Sequence, residues 1–334
     1  MSIALIVVVF LICFSVFVNG WTDAPNALAA VISTRVLKPR AAIVLGIVFN
    51  TLGVFVLGSS VAVTMANIVT IGTGRDALVT LGAVQFAVII WIITAWRFGI
   101  PASGTHAMVA ALLGAGISVD GMNALNMEYV FKVLIGMLSA TLAGFTLSFI
   151  ATKMIRFSSK NIKRGPADRF FSAGQICSAS LMIFSNGAQD GQKFMGIFYL
   201  ALVLGGRYPE DISSGFTIPI WIMLLCAILM AAGISSAGYR IIKRMGMEMV
   251  QLEKYQGFAA ELVSSGSMIV STLVGIPMSS TNVKSAAMIG AGAVKGINKV
   301  KWGVARDIMI AWALTFPICI LLGFLLAELF RFIF

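Results

Sequence analysis

Long apolar stretches separated by short polar segments run through almost the whole chain. A helix that crosses a bilayer needs roughly 20 predominantly apolar residues, so the pattern predicts transmembrane helices rather than a soluble core. The first stretch, residues 2–18, has no basic leading region and no small-residue cleavage site, so we expect a retained helix rather than a signal peptide. We predict ten crossings, at residues 1–35, 41–65, 78–97, 101–118, 129–153, 170–204, 216–239, 258–276, 277–295 and 302–334.

Composition narrows the class to all-α polytopic membrane proteins. Hydrophobic residues make up 59% of the chain and charged residues 11%, and the mean hydropathy is +0.97, values that exclude an ordinary soluble domain. The four cysteines lie in apolar stretches without metal-ligand spacing, so we expect packing roles and no covalent cofactor. No His-Glu-x-x-His or Gly-x-Ser-x-Gly motif is present, which argues against an intramembrane enzyme.

Basic residues give the chain a formal net charge of +11, but they lie between the apolar stretches rather than in one patch. This distribution argues against a nucleic-acid partner. Basic loops of membrane proteins stay in the cytoplasm, and threading the ten crossings places every basic cluster on that side and both termini outside. We therefore expect a multi-pass protein of the cytoplasmic membrane. The clusters span residues 35–40, 153–169, 240–254 and 295–306.

Two pairs of motifs recur in the same order in the two halves of the chain. Residues 19–23 read Asn-Gly-Trp-Thr-Asp and residues 186–190 read Asn-Gly-Ala-Gln-Asp; residues 99–105 read Gly-Ile-Pro-Ala-Ser-Gly-Thr and residues 275–281 read Gly-Ile-Pro-Met-Ser-Ser-Thr. The chain is therefore predicted to be a duplicated unit. Because each half has five crossings, the second copy is expected to be inverted, which is a transporter architecture. The predicted division is a repeat at 1–152, a basic linker at 153–168 and an inverted repeat at 169–334.

Polar motifs inside apolar stretches predict irregular helices. Pro25 follows the first motif closely, and glycines accompany the second at residues 185–193, so we expect both helices to be broken there. The segments that open with Pro101 and Pro277 are short and rich in Gly, Ala and Ser. We expect re-entrant helical hairpins at these two positions, because their hydroxyls and open backbone need a polar cavity or a protein environment.

The motifs resemble those of the inorganic phosphate transporter family. Residues 19–27 match the first copy of its duplicated motif, and residues 186–196 are similar to the bacterial form of the second copy, which ends Gln-Lys-x-Met-Gly. Glu261 matches an intramembrane glutamate of the family, whereas Asn50 stands where many members have glutamate. The resemblance covers nearly the whole chain and implies symport of inorganic phosphate with Na⁺ or H⁺.

The chemistry of the motif residues suits phosphate and a cation. Desolvated phosphate needs hydrogen-bond donors, including those at helix N-termini, and an anion beside two aspartates needs a bound cation, for which we favour sodium over the proton. The candidate phosphate-binding residues are Asn26, Ser103, Gly104, Thr105, Gln189, Lys193, Ser279, Ser280 and Thr281. The candidate sodium ligands are Asn19, Thr22, Asp23, Asn186, Asp190 and Glu261.

Alternatives stay open at this point. Asp23 and Asp190 could have a structural role instead of binding an ion. The serines and threonines could serve close helix packing instead of binding a ligand. Lys193 is either a cation of the substrate site or the ion-pair partner of a carboxylate. His106 is a candidate protonation site, although Asn282 at the equivalent position argues against an essential proton relay. Proton-coupled phosphate transport, sulfate transport and a channel are the competing functions. No face of the chain identifies an interface, so a homodimer also stays open.

Overall fold

Eleven helices account for most of the chain in the computed structural model, which describes residues 3–208, 217–236 and 248–334. These residues contain two isolated β-bridges and no strand, so the prediction of an all-α protein is confirmed. Parts of the predicted crossing 216–239 and of the basic cluster 240–254 lie outside the described residues. The helices are α1 (Ile3–Ser33), α2 (Pro39–Val56), α3 (Ser60–Asn67), α4 (Gly74–Arg97), α5 (Gly104–Asp120), α6 (Met127–Ser158), α7 (Arg164–Leu204), α8 (Ile220–Ser235), α9 (Lys254–Val274), α10 (Ser280–Ala293) and α11 (Trp302–Ile333).

The helices form a multi-pass membrane protein. Seven of those in the described part of the chain are long and apolar enough to cross a membrane. Large apolar side chains of α6 are more than half exposed at Phe131, Ile135, Leu138 and Leu142, a spacing that puts them on one face. An exposed apolar stripe of this kind is stable against lipid and not against water. The remaining predicted crossings correspond to α7 and α10, which carry the polar motifs, and to the shorter α8.

The predicted breaks in the two motif helices are wrong. Helix α1 is continuous through Pro25, and α7 is continuous through residues 185–193; neighbouring helices make such residues tolerable inside membrane proteins. The break lies instead in the second predicted crossing, between α2 and α3. The side chain of Gln192 satisfies the backbone groups freed there: its Oε1 accepts from Val61 N at 2.9 Å, and its Nε2 donates to Leu57 O at 2.9 Å.

Helical hairpins are present at both predicted positions, and their re-entrant course in the membrane stays a prediction. Helix α4 packs on α5 and helix α9 packs on α10. Gly99 and Gly275 have φ angles of +66° and +73° at the ends of α4 and α9, a left-handed conformation that lets the chain turn back within a few residues. Residues 104–116 of α5 and the whole of α10 are buried. The second helix of each hairpin therefore lies in the centre of the protein.

The two halves pack against each other reciprocally. Helix α1 packs on α8 as α2 packs on α7, and α5 packs on α11 as α10 packs on α6. Glycines permit the close crossings: a Cβ atom at Gly53 of α2 would overlap the Phe184 carbonyl oxygen of α7, and one at Gly187 of α7 would overlap the Asn50 carbonyl oxygen of α2. Each helix of these crossing pairs comes from a different half, so the two halves are interleaved.

Described residues of three basic clusters, 153–169, 240–254 and 295–306, meet at one end of the molecule. A cavity of about 770 Å³ is lined by Thr34 after α1, Arg156 of α6, Arg164 of α7, Lys254 of α9 and Lys295 after α10. Helices α6 and α7 are joined there by residues 159–163, so most of the predicted linker is helical. Whether this end faces the cytoplasm stays a prediction.

The opposite end carries both ends of the chain. A cavity of about 630 Å³ there is lined by Ile3 of α1, Arg75 of α4, Leu204 of α7 and Phe330 of α11. The start of α1 and the end of α11 therefore lie together, on the side away from the basic clusters.

We predict that Gly53→Ala destabilises the protein by about 1–3 kcal/mol, because the new methyl group overlaps the backbone of α7. Gly266→Ala in α9 is the matched control, since a Cβ atom at Gly266 meets no heavy atom within 4 Å. The melting temperature of purified protein in detergent should fall for Gly53→Ala and stay level or rise for the control. An unchanged melting temperature for Gly53→Ala would contradict the close crossing of α2 and α7.

Candidate functional site

The N-termini of α5 and α10 are capped in the same way. Ser103 Oγ accepts from the backbone N–H of His106 at 3.1 Å, and Ser279 Oγ accepts from that of Asn282 at 3.2 Å. Serine favours this position because its oxygen replaces a helical acceptor that the first turn lacks. The remaining N–H groups of each first turn carry the positive end of the helix dipole.

These two capped ends meet in the centre of the protein. Thr105 Oγ1 donates to Met278 O at 3.1 Å, so the start of α5 contacts the turn before α10. His106 Nε2 lies 3.3 Å from Asn282 Nδ2, which joins two residues at equivalent positions in the two halves. Two helix N-termini aimed at one region are a favourable setting for an anion.

The first aspartate is held by neutral donors. Asp23 accepts from Ser280 Oγ at 2.7 Å, from Thr281 Oγ1 at 2.6 Å and from Asn26 Nδ2 at 2.7 Å. Asn26 Nδ2 also lies 2.8 Å from Thr281 Oγ1. All four side chains are buried. Within the part of the chain that the structure describes, no lysine or arginine forms an ion pair with Asp23.

The second aspartate is paired with a lysine. Asp190 accepts from Lys193 Nζ at 2.7 Å and from Asn19 Nδ2 at 2.9 Å. Lys193 Nζ also contacts Asn19 Oδ1 at 3.2 Å and Thr105 Oγ1 at 3.4 Å. The pair is 1% exposed at each side chain, so water screens it little.

The two clusters form one charged site. Asp23 and Asp190 lie close enough for their carboxyl groups to interact electrostatically. Two carboxylates and the single ammonium group of Lys193 leave an excess of one negative charge in a buried region. Such an excess is costly in a low-dielectric environment unless a cation joins it.

Gln189 braces the second hairpin turn. Its Nε2 lies 3.1 Å from Ser271 Oγ and 3.2 Å from Ile276 O, and its Oε1 accepts from Met278 N at 3.2 Å. Both ends of the amide are therefore engaged with the segment that precedes α10. This arrangement makes Gln189 a positioning residue for the turn rather than a free donor.

Three other predicted site residues differ in their surroundings. Thr22 Oγ1 donates to Val18 O of its own helix at 2.8 Å. Asn186 is buried, and its Oδ1 has no hydrogen-bond partner among the described residues. Gly104 lies beside Asn19, since a Cβ atom at Gly104 would stand 2.5 Å from Asn19 Oδ1. Thus Gly104 lies at the site beside Asn19, whereas the proton of the Thr22 hydroxyl is used within α1.

Glu261 belongs to a separate buried ion pair. Its Oε1 accepts from Lys284 Nζ at 3.1 Å, and both side chains are fully buried. Ser178 Oγ lies 3.3 Å from Glu261 Oε2. The structure thus brings Asp23, Asp190 and Lys193 together, whereas Glu261 pairs with a different lysine, Lys284. The role of Glu261 as a sodium ligand stays a prediction.

Sequence reasoning missed the partners that support these groups. Gln192, Gln175 and Ser178 were not selected, although each is a polar residue within an apolar stretch. The spacing of Gln175 and Ser178 places them on one helix face, which was the available signal. Their partners lie far away in the sequence, so spacing alone does not identify them.

Comparison with known proteins agrees with this geometry. A family model described as the phosphate transporter family matches residues 19–166 and 158–323. The chain belongs to the phosphate transporter family. It is therefore a transporter and not an enzyme, and the two matches together span both hairpins and both aspartate motifs.

Similar proteins support the assignment over nearly the full length. A probable low-affinity inorganic phosphate transporter of Bacillus subtilis is 32% identical over 321 residues, covering 96% of this chain and 95% of the relative. A protein of the same description from Mycobacterium bovis is 34% identical over 333 residues, covering 98% and 78%. A solved structure described as the sodium-dependent phosphate transporter has a TM-score of 0.88 at 20% identity, with both chains fully covered. At that identity the structural likeness concerns the fold.

We predict that Glu261→Gln destabilises this transporter by about 3–5 kcal/mol, because it leaves the buried ammonium group of Lys284 without its partner. The double variant Glu261→Gln/Lys284→Met should recover most of that loss, since an apolar side chain replaces the buried charge. Melting in detergent measures both effects.

Glu253→Gln is the matched control, because Glu253 pairs with Lys295 at a partly exposed position, where such a pair contributes less than about 1 kcal/mol. If the single variant Glu261→Gln is as stable as the wild type, the buried ion pair of Glu261 and Lys284 is refuted. Unchanged sodium-driven uptake by the double variant would exclude Glu261 from the sodium site.

Proposed function

We propose that this transporter carries inorganic phosphate together with sodium across the cytoplasmic membrane. The observation that carries the proposal is the negative charge of Asp23, which receives hydrogen bonds from three neutral side chains and pairs with no lysine or arginine in the described residues. Phosphate is repelled by that charge until a cation neutralises it. Coupling therefore follows from electrostatics, because the anion binds only when the cation is present.

The proposed phosphate position lies between the N-termini of α5 and α10. The helix dipoles and the first-turn N–H groups favour an anion there. Hydroxyl groups of Ser280, Thr281 and Thr105 lie beside this region and carry no excess charge. They donate to Asp23 and to Met278 O in the structure, and we propose that they rotate to donate to phosphate when it binds. Protonated phosphate carries its own O–H groups, which the nearby carboxylates accept, whereas sulfate has none near neutral pH.

The proposed sodium position lies against Asp23. The carboxylate, the hydroxyl groups of Ser280 and Thr281 and the amide oxygen of Asn26 are all oxygen ligands, and Asn26 Oδ1 has no hydrogen-bond partner among the described residues. Sodium sites in transporters use oxygen atoms of this kind. The description of the similar solved structure as sodium-dependent also favours sodium as the coupling ion.

We infer alternating access between two inverted halves. Helix α1 ends at the basic end of the molecule while α7 begins there. Helix α4 begins at the opposite end, while α9 begins at the basic end. Corresponding helices thus run in opposite directions, which is the relation that inverted repeats require. In this mechanism α1, α7 and the hairpins move as a bundle against α2 and α8 after sodium and phosphate have bound.

We predict that Asp23→Asn lowers sodium-driven phosphate accumulation in proteoliposomes at least tenfold, as expected for the loss of about 1.4 kcal/mol of cation binding. Asp190→Asn should have a comparable effect, because it leaves the buried ammonium group of Lys193 unpaired. Radiolabelled phosphate uptake under an inward sodium gradient measures both variants, with equal amounts of folded protein.

Asp168→Asn is the matched control, since Asp168 is 61% exposed in a pair with Lys254, and its uptake should equal that of the wild type. Near-normal uptake by Asp23→Asn would refute the proposed sodium position. If only a proton gradient drives accumulation, the coupling ion is the proton and not sodium. Inhibition of phosphate uptake by excess sulfate would favour sulfate as the substrate.

A further inference from the structure

The ammonium group of Lys193 is surrounded by oxygen atoms in the way that a bound monovalent cation is. Its Nζ lies 2.7 Å from Asp190 Oδ1, 3.2 Å from Asn19 Oδ1 and 3.4 Å from Thr105 Oγ1. The ring of Phe194 lies 5.1 Å away and supplies no oxygen. A carboxylate, an amide oxygen and a hydroxyl group thus form one oxygen cage, defined here by Asp190, Asn19 and Thr105.

These three acceptors use all the hydrogen-bonding capacity of Lys193. A lysine ammonium group has three N–H donors and no acceptor, and three oxygen atoms surround Nζ. No N–H group is left for phosphate in this arrangement. The geometry therefore favours Lys193 as the ion-pair partner of Asp190 and not as a phosphate ligand.

The other half of the chain has the same three types of residue at the equivalent motif positions. Motif spacing relates Asp190, Asn19 and Thr105 to Asp23, Asn186 and Thr281, which are again a carboxylate, an amide and a hydroxyl group. The Thr281 hydroxyl contacts Asp23. The amide oxygen of Asn186 is buried without a hydrogen-bond partner in the described residues, whereas the equivalent oxygen of Asn19 contacts Lys193.

Two substitutions between the halves account for this difference. The residue equivalent to Lys193 is Asn26, which carries no charge, and the residue equivalent to Gly104 is Ser280. A Cβ atom at Gly104 would lie 2.5 Å from Asn19 Oδ1 and 3.5 Å from Lys193 Nζ. Glycine thus makes room for the Lys193 cage, while serine at the equivalent position donates to Asp23.

We propose that Lys193 is a tethered cation that takes the place of one of two coupling ions, so that the transporter couples one sodium ion to each phosphate. This inference rests on the proposed sodium coupling. The cage around Asp190 already contains a positive charge, and one sodium ion at Asp23 neutralises the remaining excess. A covalently attached ammonium group does not cross the membrane, so it contributes binding without contributing the energy of an ion gradient.

The test gives the oxygen cage around Lys193 the residues that stand at the equivalent positions of the other half. The double variant Lys193→Asn/Gly104→Ser has at both positions the residues that Asn26 and Ser280 supply in the other half. Simultaneous uptake of radiolabelled sodium and phosphate into proteoliposomes gives the number of sodium ions per phosphate, and titration of sodium gives the Hill coefficient. Calorimetry with sodium chloride, without phosphate, gives the number of sodium sites on the purified protein.

We expect one sodium ion per phosphate and a Hill coefficient of about 1 for the wild type, and two sodium ions and a coefficient approaching about 2 for the double variant. The substitution Lys254→Asn, at a partly exposed position far from the cage, is the control and should match the wild type. Two or more sodium ions per phosphate in the wild type would overturn the inference without any variant. An unchanged sodium number in both the folded double variant and the folded single variant Lys193→Asn, which leaves Asn19 undisturbed, would overturn it as well.

Two further results separate this inference from others. If the single variant Lys193→Gln raises the phosphate KM with an unchanged sodium number, Lys193 binds phosphate and the inference is wrong. Sodium dependence that appears only in the double variant would overturn sodium coupling of the wild type and support the role of Lys193. Absence of sodium dependence in both proteins would overturn the proposed function and the inference together.

Discussion

Two carboxylates buried near one lysine are the constraint on which the rest of the structure depends. Charges of this kind are costly away from water unless hydrogen bonds and counter-charges surround them. Asp23 accepts hydrogen bonds from Ser280, Thr281 and Asn26. Asp190 accepts hydrogen bonds from Lys193 and Asn19. These partners come from the motif helices and from the hairpins, so the carboxylates are stable only when both halves of the chain are assembled.

The fold meets this requirement by bringing small residues to its crossings and helix N-termini to its centre. Close contacts at Gly53 and Gly187 join α2 to α7, the helix that carries Asp190. Helices α5 and α10 are almost completely buried, and each begins with a serine cap. Because their positive ends lie beside two negative side chains, one region presents charges of both signs. In the proposed function, this region binds both the anion and the cation.

Much of the architecture follows from the sequence, because hydrophobicity and motif repetition are local or periodic signals. The sequence was sufficient to predict the helical class, the hairpins at Pro101 and Pro277, and the proximity of Asp23 to Asp190. The break beside Leu57 was not predictable, because Gln192 satisfies its backbone from another helix. The partner of Glu261 and the three acceptors of Lys193 also depend on tertiary contacts that no spacing rule contains.

Phosphate binding to the purified transporter, measured by calorimetry in sodium chloride and in potassium chloride, tests the central claim most directly. In the proposed mechanism, the charge of Asp23, which pairs with no lysine or arginine among the described residues, excludes phosphate until sodium neutralises it. This mechanism predicts measurable phosphate binding in sodium and none in potassium, together with tighter sodium binding when phosphate is present, because the coupling is reciprocal. Equal phosphate affinity in the two salts would contradict it.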